Sequence, residues 1–131
     1  MPVELRCVAL AGLLVLAQIL LAAAPKFLTY GVKWASSARD TTPDGLSLRG
    51  QRLERAHRNL METFPVFAAA AIGVVVAGVS SAVTETAAAV WVLARVLYVP
   101  AYVFHVRHVR PLVWGVALLA LVVLLAALIG G

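Results

Sequence analysis

The chain has 131 residues, of which 63% are hydrophobic and 13% are charged, with a formal net charge of +5. A soluble domain is nearer half apolar, and one of this length could not bury so much apolar side chain in its own core. The composition therefore excludes an ordinary soluble domain and predicts a single domain whose main solvent is lipid. Nucleic-acid binding is not indicated, because most Lys and Arg residues lie in two segments between apolar runs, as in membrane loops.

The first apolar run extends from Val8 to Ala24 and is followed by Pro25 and Lys26. A short charged start and a run of alanines are also features of a signal peptide. Pro25 disfavours cleavage and the apolar stretch is long for a signal peptide, so we expect a retained membrane helix over 5–33. Cys7 is the only cysteine and cannot form an internal disulfide.

Three further apolar runs follow, and each approaches the roughly 20 residues that a helix needs to cross a bilayer. We predict helices over 54–80, 85–107 and 111–129, and hence an all-α membrane protein with a four-transmembrane-helix bundle. Eight of the eleven Lys and Arg residues lie in or at the edges of two segments, one between helices one and two and one between helices three and four, whereas the second turn has none. The positive-inside rule then places both basic loops in the cytoplasm.

The second predicted helix begins with "ERAHRNLMETFP", a polar stretch at the edge of an apolar run. At about 100° per residue, Arg55, Asn59 and Glu62 share one helical face, whereas His57 and Arg58 point elsewhere. This face predicts a polar stripe that runs into the membrane.

The third predicted helix carries a second polar stripe, made of Arg95, Tyr98 and Tyr102, with Trp91 one turn earlier. An arginine at this depth in lipid should face the interior of the bundle and have a partner. Glu62 is the predicted partner.

A simpler interpretation treats these groups as structural. In this interpretation the two stripes serve only to hold the helices together. Charges near helix ends also commonly bind lipid headgroups. That interpretation is favoured for several interfacial side chains taken singly, namely Arg49, Arg52, Arg107, Arg110, His57, His105 and His108. No spacing of residues indicates a metal site.

The facing stripes also predict a ligand. Arginines suit carboxylates through paired hydrogen bonds, Glu62 suits an ammonium and Asn59 suits a peptide amide. A small zwitterionic peptide with an extra carboxylate fits this set. A nearby arginine would lower the pKa of a bound thiol and hold it as the reactive thiolate.

The stretch from Arg55 to Thr63 resembles the second-helix signature of the MAPEG family, the membrane-associated proteins in eicosanoid and glutathione metabolism. Arg95-Val96-Leu97-Tyr98, followed by Tyr102, resembles the third-helix motif of that family. The segment from Tyr30 to Asp40 resembles the loop entry of bacterial members. The resemblance covers nearly the whole chain.

The resemblance implies a homotrimer in a bacterial inner membrane, with glutathione bound between adjacent subunits near the cytoplasmic face. The glutathione-binding residues that it implies are Arg55, Arg58, Asn59, Glu62, Arg95, Tyr98 and Tyr102, with Lys33 supplied by the neighbouring subunit. A thiolate-stabilising arginine is implied after the second tyrosine. Arg110 is the preferred candidate and Arg107 the alternative.

The function that follows is a glutathione-dependent membrane transferase or peroxidase, with a lipophilic co-substrate that enters from membrane lipid. The alternative is a non-catalytic family member with a structural or ligand-binding role. A small four-helix multidrug transporter is disfavoured, because such proteins depend on a carboxylate within helix one. That helix offers only Gln18 and the terminal Glu4.

Overall fold

The computed structural model describes residues 1–131, and all of its regular structure is helical. Four of the helices are long and apolar enough to cross a membrane, as predicted. The remaining helix, α2, has only five residues. The helices are α1 Val3–Tyr30, α2 Val32–Ser36, α3 Leu48–Val76, α4 Ala82–Val103 and α5 Val109–Gly130.

The helix ends differ from the predicted ones where capping residues were overlooked. Helix α3 begins six residues before the predicted start, because the side chain of Ser47 accepts a hydrogen bond from the Gly50 amide and caps the helix. The first helix is divided at Gly31, whose φ of 86° is readily accessible only to glycine. Helix α4 ends at Val103 and α5 begins at Val109, so the segment between them has five residues and is longer than the predicted three, because α4 ends four residues before its predicted end.

Helices α1, α3 and α4 pack on one another, and α5 packs mainly on α4. The core is built largely from alanines, which allow helix backbones to approach closely in a membrane bundle. A stacked aromatic pair joins α3 to α4, where the ring centroids of Phe67 and Trp91 are 3.9 Å apart. Pro25, Pro65 and Pro100 lie inside helices that continue through them.

Two polar contacts fix α1 against its neighbours at opposite ends. At one end Lys26 Nζ lies 2.6 Å from Glu54 Oε1 on α3. At the other end Glu4 Oε1 accepts hydrogen bonds from the hydroxyls of Ser80 and Thr84 over 2.6 and 2.7 Å. We call the first the basic end, since it carries the arginines of α3 and of the α4–α5 turn, and the second the Glu4 end.

Candidate functional site

Arg95 is the buried charged group at the centre of the site. It is 1% exposed, and its Nη1 donates to Asn59 Oδ1 over 2.9 Å. Its guanidinium also lies over the ring of Tyr98, 4.6 Å from the centroid. Its Nε and Nη2 have no hydrogen-bond partner in the chain. The predicted apposition of the two polar stripes is therefore confirmed, with Asn59 as the point of contact.

The predicted pairing of Arg95 with Glu62 is wrong within one chain. No ion pair of 4.0 Å or less joins the two residues, and the side chain of Glu62 is exposed. Asn59 lies three residues earlier on almost the same helical face, and its amide oxygen reaches Arg95 instead. Glu62 is left free for a contact outside the chain.

Tyr102 organises the second part of the site, one turn closer to the basic end. The guanidinium of Arg110 lies 4.9 Å from the centroid of its ring, and that of Arg55 lies 6.0 Å from it. The ring of Tyr98 is 5.7 Å away and tilted by 45°. A cation–π contact orients the guanidinium group, and the N–H donors in the plane of that group remain free to bind other acceptors. Two arginines on two helices are thus held ready for an anion.

Two adjoining cavities open at these residues. The larger has a volume of about 430 Å³ and is lined by basic side chains with no carboxylate. The smaller has a volume of about 190 Å³ and has Asn59, Tyr98 and Trp114 in its wall. Arg110 and Pro111 line both. Arg95 lines neither; it lies behind Asn59 and Tyr98 and fixes their positions. The charged and histidine side chains of the larger cavity are Arg52, Arg55, His105, Arg107, His108 and Arg110.

The α4–α5 turn brings these side chains together. His105 and His108 have φ values of 51° and 66°, a left-handed conformation that is uncommon for residues other than glycine. Arg52 braces the turn, because its Nη1 donates over 3.0 Å to the carbonyl of Val103, the last residue of α4. Arg110 falls in the first turn of α5, where Pro111 is tolerated because its missing N–H would have no helical partner.

Other predicted residues lie away from the cavities. Arg58 is exposed, and its nearest charged group is Glu54, 3.8 Å away. Lys33 lies in α2 and is exposed. His57 points away from the polar stripe, as its helical phase predicted, and lines a separate cavity together with residues of α1 and α2. Among the predicted residues the cavity walls therefore contain Arg55, Asn59, Tyr98, Tyr102, Arg107 and Arg110.

Four polar or aromatic cavity residues were not predicted as site residues: Arg52, His105, His108 and Trp114. The two histidines were predicted only as interfacial side chains. Arg52 lies three residues before Arg55 and so shares its helical face, but the helix had been expected to start later. Trp114 lies one turn after Arg110 on α5, and that spacing was the available signal.

A further groove of about 530 Å³ lies between α4 and α5 near the Glu4 end. Its lining is apolar except for Thr86, whose hydroxyl already donates to the carbonyl of Ala82. Such a surface has nothing with which to orient a charged ligand. The chemistry of the molecule is therefore concentrated at the basic end.

The basic-end cavities suit a ligand with carboxylates and a thiol. Free guanidinium groups match carboxylates, and Asn59 and the tyrosine hydroxyls can bond an amide or a sulfur. The larger volume falls in the usual range for small-ligand sites. No carboxylate lines either cavity to receive an ammonium, so that contact would have to come from outside this wall.

Fold and site together define an integral, multi-pass helical membrane protein with a cationic cavity at one end of its bundle. The MAPEG family model matches residues 5–130, nearly the whole chain, and the chain belongs to the MAPEG family. No curated protein and no solved structure matches it.

Proposed function

We propose that the protein is a glutathione-dependent membrane transferase or peroxidase that acts on lipophilic electrophiles or hydroperoxides. The family includes glutathione transferases and peroxidases as well as non-catalytic members. The observation that carries the proposal is the position of Arg110, which lines both cavities and lies over Tyr102. A guanidinium there is placed to contact a carboxylate on one side and a sulfur on the other.

In this arrangement the larger cavity holds the carboxylates of glutathione against Arg52, Arg55 and Arg107. The smaller cavity holds the cysteinyl thiol beside Arg110. Positive charge next to a thiol lowers its pKa from about 8.5 and favours the thiolate. When bound, glutathione would supply the sulfur nucleophile after its thiol loses a proton to solvent. In a transferase reaction the thiolate would form a C–S bond while the leaving group departs from the same carbon. In a peroxidase reaction it would attack the hydroperoxide, break the O–O bond and release an alcohol, and a second glutathione would convert the resulting sulfenic acid to glutathione disulfide and water. The electrophile or hydroperoxide reaches the site from lipid.

A homotrimer in a bacterial inner membrane, with the basic end in the cytoplasm, completes the proposal. Glu62 and Arg58 are exposed on α3 close to the level of Asn59. Charged groups inside a membrane are seldom left facing lipid, so a second copy packed on this face would cover them. Glu62 could then receive the ammonium of glutathione, and Lys33 could reach the site from the neighbouring subunit. Detergent-corrected light scattering should give three chains per particle; a monodisperse monomer contradicts this part.

The test is a titration of the detergent-purified protein with glutathione, followed by the ultraviolet absorbance of the thiolate. S-methylglutathione, which has no thiol, is the matched control ligand. We expect both to bind and only glutathione to give the thiolate signal near pH 7. Absence of binding by both ligands contradicts the proposal.

Substitution of Arg110 by alanine should remove the thiolate signal while binding falls by no more than about tenfold, or 1.4 kcal/mol. Arg107→Ala removes the same charge from the larger cavity alone and serves as the control. If Arg107→Ala loses the thiolate and Arg110→Ala keeps it, the assignment of the two arginines is reversed.

The second candidate is a non-catalytic family member. The observation in its favour is that Pro111, rather than a hydroxyl-bearing residue, follows Arg110 in the cavity wall. The only hydroxyls in the two walls are those of Tyr98 and Tyr102. This candidate is supported if glutathione binds but its thiol ionises no more readily than the thiol of free glutathione, so that no thiolate forms at any pH below the pKa of the free thiol.

A further inference from the structure

Gln18 is an unexplained polar residue in the middle of α1. It is 2% exposed, and neither its Oε1 nor its Nε2 has a hydrogen-bond partner in the chain. Its neighbours on the same buried face, Ala11, Val15 and Ala22, are small and apolar. A buried amide is favourable only when its donors and acceptor are used. An apolar residue would suit this position better unless Gln18 bonds to something.

The ion pair between α1 and α3 sets the level of Gln18 in the bundle. Lys26 and Glu54 are in contact at 2.6 Å. Measured from them towards the Glu4 end at 1.5 Å per residue, Gln18 lies about 12 Å along α1 and Thr63 about 13.5 Å along α3. The two residues are therefore at the same depth. Thr63 Oγ1 is also buried without a partner.

Arg95 supplies the third group with unused hydrogen-bonding atoms. Asn59, which holds its Nη1, lies one helical turn before Thr63 on the same face of α3. The Nε and Nη2 of Arg95 are buried and without partners. Helix α4, which carries Arg95, packs on both α1 and α3. Three buried side chains on three mutually packed helices thus have unsatisfied polar atoms at similar heights in the bundle.

The unused atoms are chemically complementary. A guanidinium can only donate, an amide oxygen can accept from it, and an amide N–H can donate to a hydroxyl oxygen. We propose that Gln18 is a positioning residue that holds Arg95 from α1, through Oε1 directly or through one internal water, while its Nε2 donates to Thr63. Arg95 is then held by two helices, and it in turn fixes Asn59 and Tyr98 in the cavity wall.

The consequence for ligand binding rests on the proposed function, but the contact itself does not. It is tested by the thermal stability of the detergent-solubilised protein without ligand. Gln18→Met keeps the length of the side chain and removes its polar atoms, and Gln18→Glu keeps an acceptor for Arg95. We expect Gln18→Met to lower the Tm by about 4 °C or more, and Gln18→Glu to restore most of it.

Thr63→Val completes a double-mutant cycle. If Gln18 donates to Thr63, the loss in the double variant should be clearly smaller than the sum of the two single losses. A rise in Tm for Gln18→Met, with effects additive with Thr63→Val, overturns the proposal, since removal of an unpartnered amide is then favourable. Failure of Gln18→Met to fold while Gln18→Glu folds supports it, and equal failure of both overturns it.

Glutathione affinity provides the second measurement. Gln18→Met should weaken binding about tenfold, with recovery in Gln18→Glu, because Asn59 and Tyr98 lose their support. If the cycle shows coupling and the wild-type protein binds no glutathione, the proposed function fails and the contact stands. If glutathione binds equally to the wild type and to a stabilised Gln18→Met, the contact fails and the function stands.

Discussion

The two ends of the bundle use charge in opposite ways. At the Glu4 end a fully buried carboxylate accepts from the hydroxyls of Ser80 and Thr84, and both donors belong to the α3–α4 turn or the start of α4. At the basic end the guanidinium groups of Arg55 and Arg110 lie over an aromatic ring instead of a carboxylate. The carboxylate at the Glu4 end joins helices, whereas these two arginines at the basic end keep hydrogen-bond donors available.

The two ends differ because their charged side chains contact different kinds of group. A carboxylate that accepts from two protein hydroxyls has its strongest interactions within the fold, so it contributes to stability. An arginine over a ring is oriented by a weaker contact and keeps several N–H groups for a ligand. The only ion pairs in the chain are those of Glu54 with Lys26 and Arg58, on the α1 side of α3. The arginines of the cavities therefore have no acidic partner to release before they bind an anion.

The largest effect is expected from Glu4→Ala. It removes the acceptor of two charge-assisted hydrogen bonds and leaves the Ser80 hydroxyl without its partner, whereas the Thr84 hydroxyl keeps its contacts with the Ser81 backbone. The unfolding free energy should fall by about 3 kcal/mol. Glutathione affinity should change less than about twofold, because the cavities lie at the other end. Chemical unfolding in mixed micelles and ligand titration measure the two quantities.

Glu85→Ala is the matched control, since Glu85 is also a glutamate in the first turn of a helix at this end but makes no side-chain hydrogen bond. Its loss should cost no more than about 1 kcal/mol, the usual helix-dipole contribution. Equal losses for the two variants would show that charge at this end, rather than the Glu4 contacts, carries the stability.

The intermediate effect is expected from Arg55→Ala. Arg55 is exposed and lines the larger cavity, so glutathione affinity should fall about tenfold while stability changes by less than about 0.5 kcal/mol. Arg49→Ala is the control, because Arg49 lies 5.3 Å from the ring of Phe104 and does not line the cavity. An equal fall in both variants, reversed by salt, would indicate general attraction to a positive surface and would contradict a specific contact.

The elements of the fold could be predicted because the apolar runs are long and the polar stripes have helical spacing. The face of α1 that packs against the other helices could not be predicted, because this helix is apolar nearly all round and has no amphipathic pattern. For the same reason the sequence does not predict that Gln18 is buried, and shows only that it is not the carboxylate that a transporter would need. Its burial depends on the partner helices.

The partner of Arg95 shows a second limit. Asn59 and Glu62 lie on nearly the same face of α3, and their helical phase does not decide between them. Charge favoured Glu62, whereas the relative height of α3 and α4, set by contacts such as that of Phe67 with Trp91, selected Asn59. Arg52 was missed because the Ser47 cap extends α3 into the predicted loop. The relative height of two helices is a tertiary property, whereas the Ser47 cap is a local signal at the start of α3.

The smallest effect is expected from substitution of Lys33. This substitution tests whether the binding site at the basic end is completed by a neighbouring subunit. Lys33 is exposed and lines neither cavity of its own chain. If a neighbouring subunit presents it, Lys33→Ala should weaken glutathione binding about threefold, and Lys33→Arg should strengthen it slightly because a guanidinium binds a carboxylate through two bonds. Arg39→Ala, an exposed change in the same segment, should have no effect. The order of affinity Arg, Lys, Ala in the assembled protein would assign Lys33 to the partner's site, whereas identical affinities would exclude Lys33 from that site.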